Sequence, residues 1–204
     1  MVGLGEDGGK RRLIDSVLRT ATTELRILWF AAAWWARPDR PQGAQAFSYH
    51  RNMQVLLWML LAVSALEIGV TLVALRLMSP RIGGIVSALS AIGVVYLLGL
   101  INAFAKLPLL VTPRGVRVRA GLLVDQWVGF EEMAEVRLVQ DCGDPKRPGF
   151  LKASALAYPN TLIELVRPRT VRTLFRAKPD ILTIGLHPDD APAFVDAVRA
   201  AKAG

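Results

Sequence analysis

Two long apolar stretches, Met53–Leu75 and Ile82–Phe104, constrain this chain more than any other feature. Each is 23 residues long, contains no Lys or Arg, and carries at most one carboxylate, Glu67 in the first. At about 1.5 Å of rise per residue each makes a helix of about 34 Å, enough to cross a hydrocarbon core of about 30 Å with some tilt. Only Arg76-Leu77-Met78-Ser79-Pro80-Arg81 separates them, so the two spans must form an antiparallel hairpin. An ordinary soluble enzyme and a disordered tail are both excluded.

Charge sets the orientation. Arg37, Arg40 and Arg51 precede the hairpin, and Lys106, Arg114, Arg117 and Arg119 follow it, against Arg76 and Arg81 in the turn. The positive-inside rule then puts both termini in the cytoplasm. The chain has 25 Lys and Arg against 17 Asp and Glu, and the surplus is spread along its length. No basic stripe with interleaved aromatics marks a nucleic-acid partner. The bias fits contact with anionic headgroups instead.

Before the hairpin, Ile14, Val17, Leu18, Ala21, Leu25, Leu28, Ala32 and Trp35 recur at steps of three and four, predicting an amphipathic helix over about 11–36. Trp29, Trp34 and Trp35 suit a membrane interface, as does Arg51 at the entry to the first span. The helix can lie on the membrane or pack on the cytoplasmic domain; the pattern allows both. The segment 37–52, with Pro38, Pro41 and Gly43, ends it.

After Lys106 the hydrophobic period changes to two. Strands are expected at 107–111, 116–119, 122–128, 136–140, 154–158, 161–166, 171–175 and 181–186, with turns at Thr112-Pro113-Arg114-Gly115, Pro159-Asn160, Pro168 and Pro179-Asp180. A helix from about Asp190 to Lys202 closes the chain, with Asp189-Asp190 at its start. The expected division is a segment 1–52, a transmembrane hairpin 53–105, and a cytoplasmic domain 106–204. That domain is a barrel or sandwich of about seven strands capped by a helix, so the fold class is a membrane protein of α+β type.

Leu110-Val111-Thr112-Pro113-Arg114-Gly115-Val116-Arg117-Val118-Arg119-Ala120-Gly121 resembles the opening hairpin of bacterial membrane-anchored pleckstrin-homology-like proteins. Val128–Val136 is similar to the segment before their fourth strand, and Leu182–Val195 to their last strand and C-terminal helix. The resemblance covers about residues 50–204. It implies a multi-pass protein of a bacterial inner membrane, a non-enzymatic adaptor, scaffold or assembly factor that meets a protein partner or another copy of itself. The first loop, Pro113-Arg114-Gly115, is too short to form the basic phosphoinositide pocket of eukaryotic relatives.

Glu67 lies inside the first span, where an unpartnered carboxylate costs several kcal/mol. Ser90 and Ser87 in the second span are expected at its depth. A hydrogen bond from protonated Glu67 to one of them, a polar group of a partner, and a proton or substrate path are the three readings. The last would make the chain an accessory subunit of a membrane transporter or enzyme. Gly84, Ala88 and Ala91 offer small faces for close helix packing, within the hairpin or against another protein. Arg167, Arg169, Arg172, Arg176 and Lys178 form the densest basic run, a candidate face for anionic lipid or a partner. His50, His187 and the lone Cys142 have no metal-ligand spacing, and no nucleophile elbow or phosphate loop is present. No cofactor, metal site or catalytic group is implied.

Overall fold

The computed structural model of the chain describes residues 25, 28–33, 41–75, 80–154, 157–173 and 177–204. Two long helices come first among its major elements. α1 (Arg51–Leu75) has 25 residues and α2 (Pro80–Lys106) has 27. A proline opens α2, where its missing N–H costs nothing, and Pro108 follows its end. The helices pack against each other along a seam. Leu57, Leu61, Ser64, Ile68 and Thr71 of α1 are turned in, as are Ser87, Ser90, Val94, Leu97 and Ile101 of α2, at the three-and-four spacing of one helix face. Both are long and apolar enough to cross a membrane, and the apolar stretches are only 6% and 11% buried. The central helix of a soluble protein would be covered; here Val63, Leu66, Val70, Ile85, Leu89 and Ile92 stand exposed.

The rest is two four-stranded sheets. In the first the order is β1-β2-β3-β4, all antiparallel: β1 (Gln45–Phe47), β2 (Leu109–Thr112), β3 (Gly115–Ala120) and β4 (Val124–Gly129). A 3-10 turn (Phe130–Glu132) leads to the second sheet. Its order is β5-β7-β8-β6, from β5 (Met133–Leu138), β6 (Phe150–Lys152), β7 (Thr161–Arg172) and β8 (Ala177–Leu186), with β6 parallel to β8 and the other pairs antiparallel. A bridge between Val124 and Thr173 joins β4 to the end of β7. Between the sheets Val116, Val118, Val128, Ile163, Val171, Ile184 and Leu186 are wholly buried. α3 (Ala191–Ala203) lays Phe194, Val195 and Val198 into the same core. Its Arg199 and Lys202 donate to the carbonyls of Val136 and Met133 on β5, at 3.2 and 2.6 Å.

β1 precedes the helices yet pairs with β2 after them, Phe47 opposite Leu109 and Gln45 opposite Val111. The helix pair is thus inserted between two neighbouring strands of one sheet. Sequence periodicity gives no hint of this, because three residues are too few to show alternation.

Several expected strands moved. The one expected at 154–158 is replaced by β6 at Phe150–Lys152, and Ser154 and Tyr158 are not in a strand. The strands at 161–166 and 171–175 are a single β7 as far as Arg172, and Pro168 marks a bulge rather than a turn. Between Glu164 and Arg169 five steps along β7 face two along β8, from Thr183 to Ile181. The surplus residues Val166, Arg167 and Pro168 loop outward and exposed, where a residue without an N–H breaks no ladder bond. β8 begins at Ala177, so Pro179-Asp180 lies within it, with Asp180 at φ +54°.

Candidate functional site

The junction of helices and sheets shares the buried core of the sheets. Tyr49, between β1 and α1, is buried, and its hydroxyl accepts the Gly121 N–H at 2.6 Å. Its ring meets Phe104 of α2 edge-on, at 6.2 Å between centroids. Burial pushes the Tyr49 phenol up, so it stays protonated. Gly121 has φ +56°, and a Cβ there would lie 2.5 Å from the Phe104 ring. Met53, Leu57, Ile101 and Phe104 belong to the same apolar cluster as the sheet interior.

The adjacent acids at the end of β8 divide their work. Asp190 caps α3 by accepting the Ala193 N–H at 3.1 Å. Asp189 does not join it. Its two carboxylate oxygens accept the Arg51 N–H at 3.2 and 3.3 Å, at the first residue of α1. Its own N–H bonds to the Ser48 carbonyl at 2.8 Å. The start of α1 is therefore capped from 138 residues away.

A groove of about 320 Å³ opens beside this junction, lined by Tyr49, Met53, Leu56, Ser154, Ala157, Tyr158 and His187. The His187 Nδ1 lies 2.6 Å from the Tyr158 carbonyl, which can only accept, so that nitrogen carries a proton. Ser154 Oγ donates to the Ala157 carbonyl at 2.7 Å. Lys152 Nζ stands 5.7 Å from the centroid of the Tyr158 ring.

On the outer face of the first sheet, Arg117 of β3 holds Asp125 of β4 by two bonds of 2.8 Å. Arg119, two residues along the same face, is buried and brings its Nε to 3.5 Å from Asp125. Partial burial acts to raise the Asp125 carboxyl, but the two guanidinium groups outweigh it and hold it below the usual range. Trp127 is exposed next to this cluster and walls two clefts. One, of about 410 Å³, includes Pro41, Leu110, Arg117 and Asp125; the other, of about 550 Å³, includes Pro113, Arg114, Phe130 and Glu131.

The basic run is not one surface. Arg169 turns back to donate to the Trp127 carbonyl at 2.9 Å and to Glu132 at 2.8 Å. Arg167 and Arg172 are exposed, Lys178 is half-buried, and Arg176 lies outside the described residues. The Val124–Thr173 bridge places the end of β7 next to the Gly121–Leu123 turn, at the helix end of the first sheet.

In the helix pair Glu67 is exposed, while Ser87 and Ser90 lie half-buried in the seam; among the described residues no hydrogen bond joins them. Glu67 sits between the seam positions Ser64 and Ile68 and faces outward, so the expected internal bond is not made. Gly84, Ala88 and Ala91 are also exposed, outside the seam. Their small faces lie outside the seam, whose α2 side is made by Ser87, Ser90, Val94, Leu97 and Ile101. Of the tryptophans, Trp29 is exposed, and Trp34 and Trp35 lie outside the described residues. Residues 28–32 are helical, and the Phe30 and Ala33 carbonyls receive Asn102 (2.6 Å) and Lys106 at the sheet end of α2. Arg51 is exposed at the start of α1.

Sequence reasoning passed over Tyr49, Trp127 and Asp125. The Arg117–Asp125 pair had a local signal, since a short turn joins two alternating strands and must bring such residues opposite each other. Tyr49 and Asp189 had none. Among the described residues no three His, Cys, Asp or Glu side chains gather as metal ligands would. Compared with known protein families, with curated proteins and with solved structures, the chain matches none.

Proposed function

We propose that this chain is a non-enzymatic adaptor of a bacterial inner membrane. In this reading α1 and α2 span the bilayer as a hairpin, both termini are cytoplasmic, and the two sheets with α3 form a pleckstrin-homology-like domain against the inner leaflet. The two exposed apolar helices support insertion, and the arginines and lysine at their sheet end support the orientation. The observation that carries the adaptor role is the shared core. Tyr49, Met53, Leu57, Ile101 and Phe104 of the helix junction pack in one cluster with the strands, and Asp189 caps α1 from the domain. A domain joined this way holds a fixed position relative to the membrane, which suits the presentation of a docking face rather than a tethered search. Trp127, exposed between two clefts and bordered by Arg114 and Arg117, has the composition of an interface hot spot for a protein partner.

The test is purification of the full chain from its native membrane in mild detergent, followed by intact-mass measurement of the complex. A stoichiometric protein partner that is lost in Trp127→Ala supports the adaptor reading. A bare monomer or a self-oligomer overturns it.

The exposure of Glu67 favours a second reading, in which the chain is an accessory subunit of a membrane transporter or enzyme whose own polar group meets that carboxylate. A pH-dependent activity of the complex abolished by Glu67→Gln would establish it.

A further inference from the structure

The groove beside Tyr49 reaches past the start of the first helix. Leu56 on its wall lies five residues beyond Arg51, about 7.5 Å along α1 and about 4.5 Å beyond Met53, where the span begins. Ala157 and Tyr158 line the same groove as Leu56, which brings them beside the first turn of the span. Tyr158 is 63% exposed at the mouth of the groove, next to the apolar surface of α1. A tyrosine so placed, with a lysine 5.7 Å from its ring, has the character of an aromatic belt residue beside a headgroup cation. The groove lining is mostly apolar, with Met53, Leu56 and Ala157 in it, and runs onto the exposed surface of α1. Its polar lining is Ser154 and His187, and Lys152 stands beside it against the Tyr158 ring. Asp189 is close by, but its carboxylate is committed to the Arg51 N–H.

We propose that Ala157 and Tyr158 stand in the bilayer interface and that the groove behind them takes one phospholipid, its acyl chain along Met53 and Leu56 and its phosphate against Lys152. The mostly apolar lining continuous with a membrane-facing helix selects a lipid over a soluble ligand, and the cation beside it selects a headgroup bearing negative charge. This rests on the hairpin spanning the membrane.

The experiment uses the full chain in vesicles of phosphatidylcholine and phosphatidylglycerol, spin-labelled at Tyr158→Cys, with parallel labels at Val63→Cys in mid-helix and Lys146→Cys on the remote 141–149 loop; Cys142 is buried and supplies the background. The expected ratio of oxygen to water-soluble nickel accessibility at 158 is severalfold above that at 146 and below that at 63. Lys152→Glu should lower the ratio at 158 in these vesicles and leave it unchanged in pure phosphatidylcholine. Equal ratios at 158 and 146, with 63 still oxygen-rich, overturn the proposal alone. A ratio at 63 as low as at 146 overturns the membrane reading and the proposal with it. A high ratio at 158 that ignores Lys152→Glu overturns the phosphate contact.

Discussion

Asp189 and Asp190 are neighbours with the same side chain and cap two different helices, and the difference lies in their reach. Asp190 serves the helix that follows it. Asp189 serves a helix begun 138 residues earlier, because β8 ends beside Ser48. Replacing either by Ala should cost about 1 kcal/mol. Amide hydrogen exchange in detergent should separate them: Asp189→Ala loosens the junction and increases exchange at Gly121, whose N–H is held by Tyr49, whereas Asp190→Ala leaves that amide protected. Asp125 gives a second residue-scale expectation. Its carboxyl is held below the ordinary range in the folded chain, so its contribution is complete above the unfolded value near 3.8 and is lost as pH falls through the lower folded value. Asp125 is about one-third exposed, so solvent screening keeps this near 1 kcal/mol. Stability curves of wild type and Asp125→Asn should be separated at pH 7 and converge below pH 3.8. A gap unchanged at low pH would exclude the electrostatic account.

Among the elements, β7 shows how composition misleads when a run is taken as a unit. Arg167, Arg169 and Arg172 look equivalent in sequence, yet the bulge throws Arg167 outward and returns Arg169 to Trp127 and Glu132 across the corner between the sheets. Arg169→Ala should therefore destabilise by about 1 to 3 kcal/mol through two lost charge-assisted bonds. Arg167→Ala should stay within about 0.5 kcal/mol, as exposed substitutions do. Thermal unfolding of the two variants under one condition decides this. The helix pair makes the opposite point. Its length and uniform apolarity were legible in the sequence, but which face makes the seam was not, since a helix apolar all round has no stripe to read. Gly84, Ala88, Ala91 and Glu67 all lie outside the contact, which the sequence could not show.

For the whole molecule, the insertion of two helices between β1 and β2 means that the strands after Lys106 are not a complete folding unit. A fragment of residues 107–204 lacks β1, which leaves β2 as an open edge, and loses Tyr49 and Phe104 from the core. It should aggregate or show weak near-ultraviolet dichroism, while a chain starting at residue 41 should keep native signals. A well-folded fragment would show that the junction is dispensable. The sequence alone determined what depends on local pattern and total hydropathy: two helices of spanning length, a change to period two after Lys106, the tight turn at Pro113-Arg114, and a C-terminal helix opened by an aspartate. Those follow from short-range sterics and from the area each segment must cover. Tertiary structure alone decided which strand β1 pairs with, which helix Asp189 caps, which arginine of the basic run turns inward, and how the groove between Leu56 and Tyr158 is formed. Each of these joins residues far apart in the chain, and their meeting depends on how the sheets close on one core, which no local periodicity encodes.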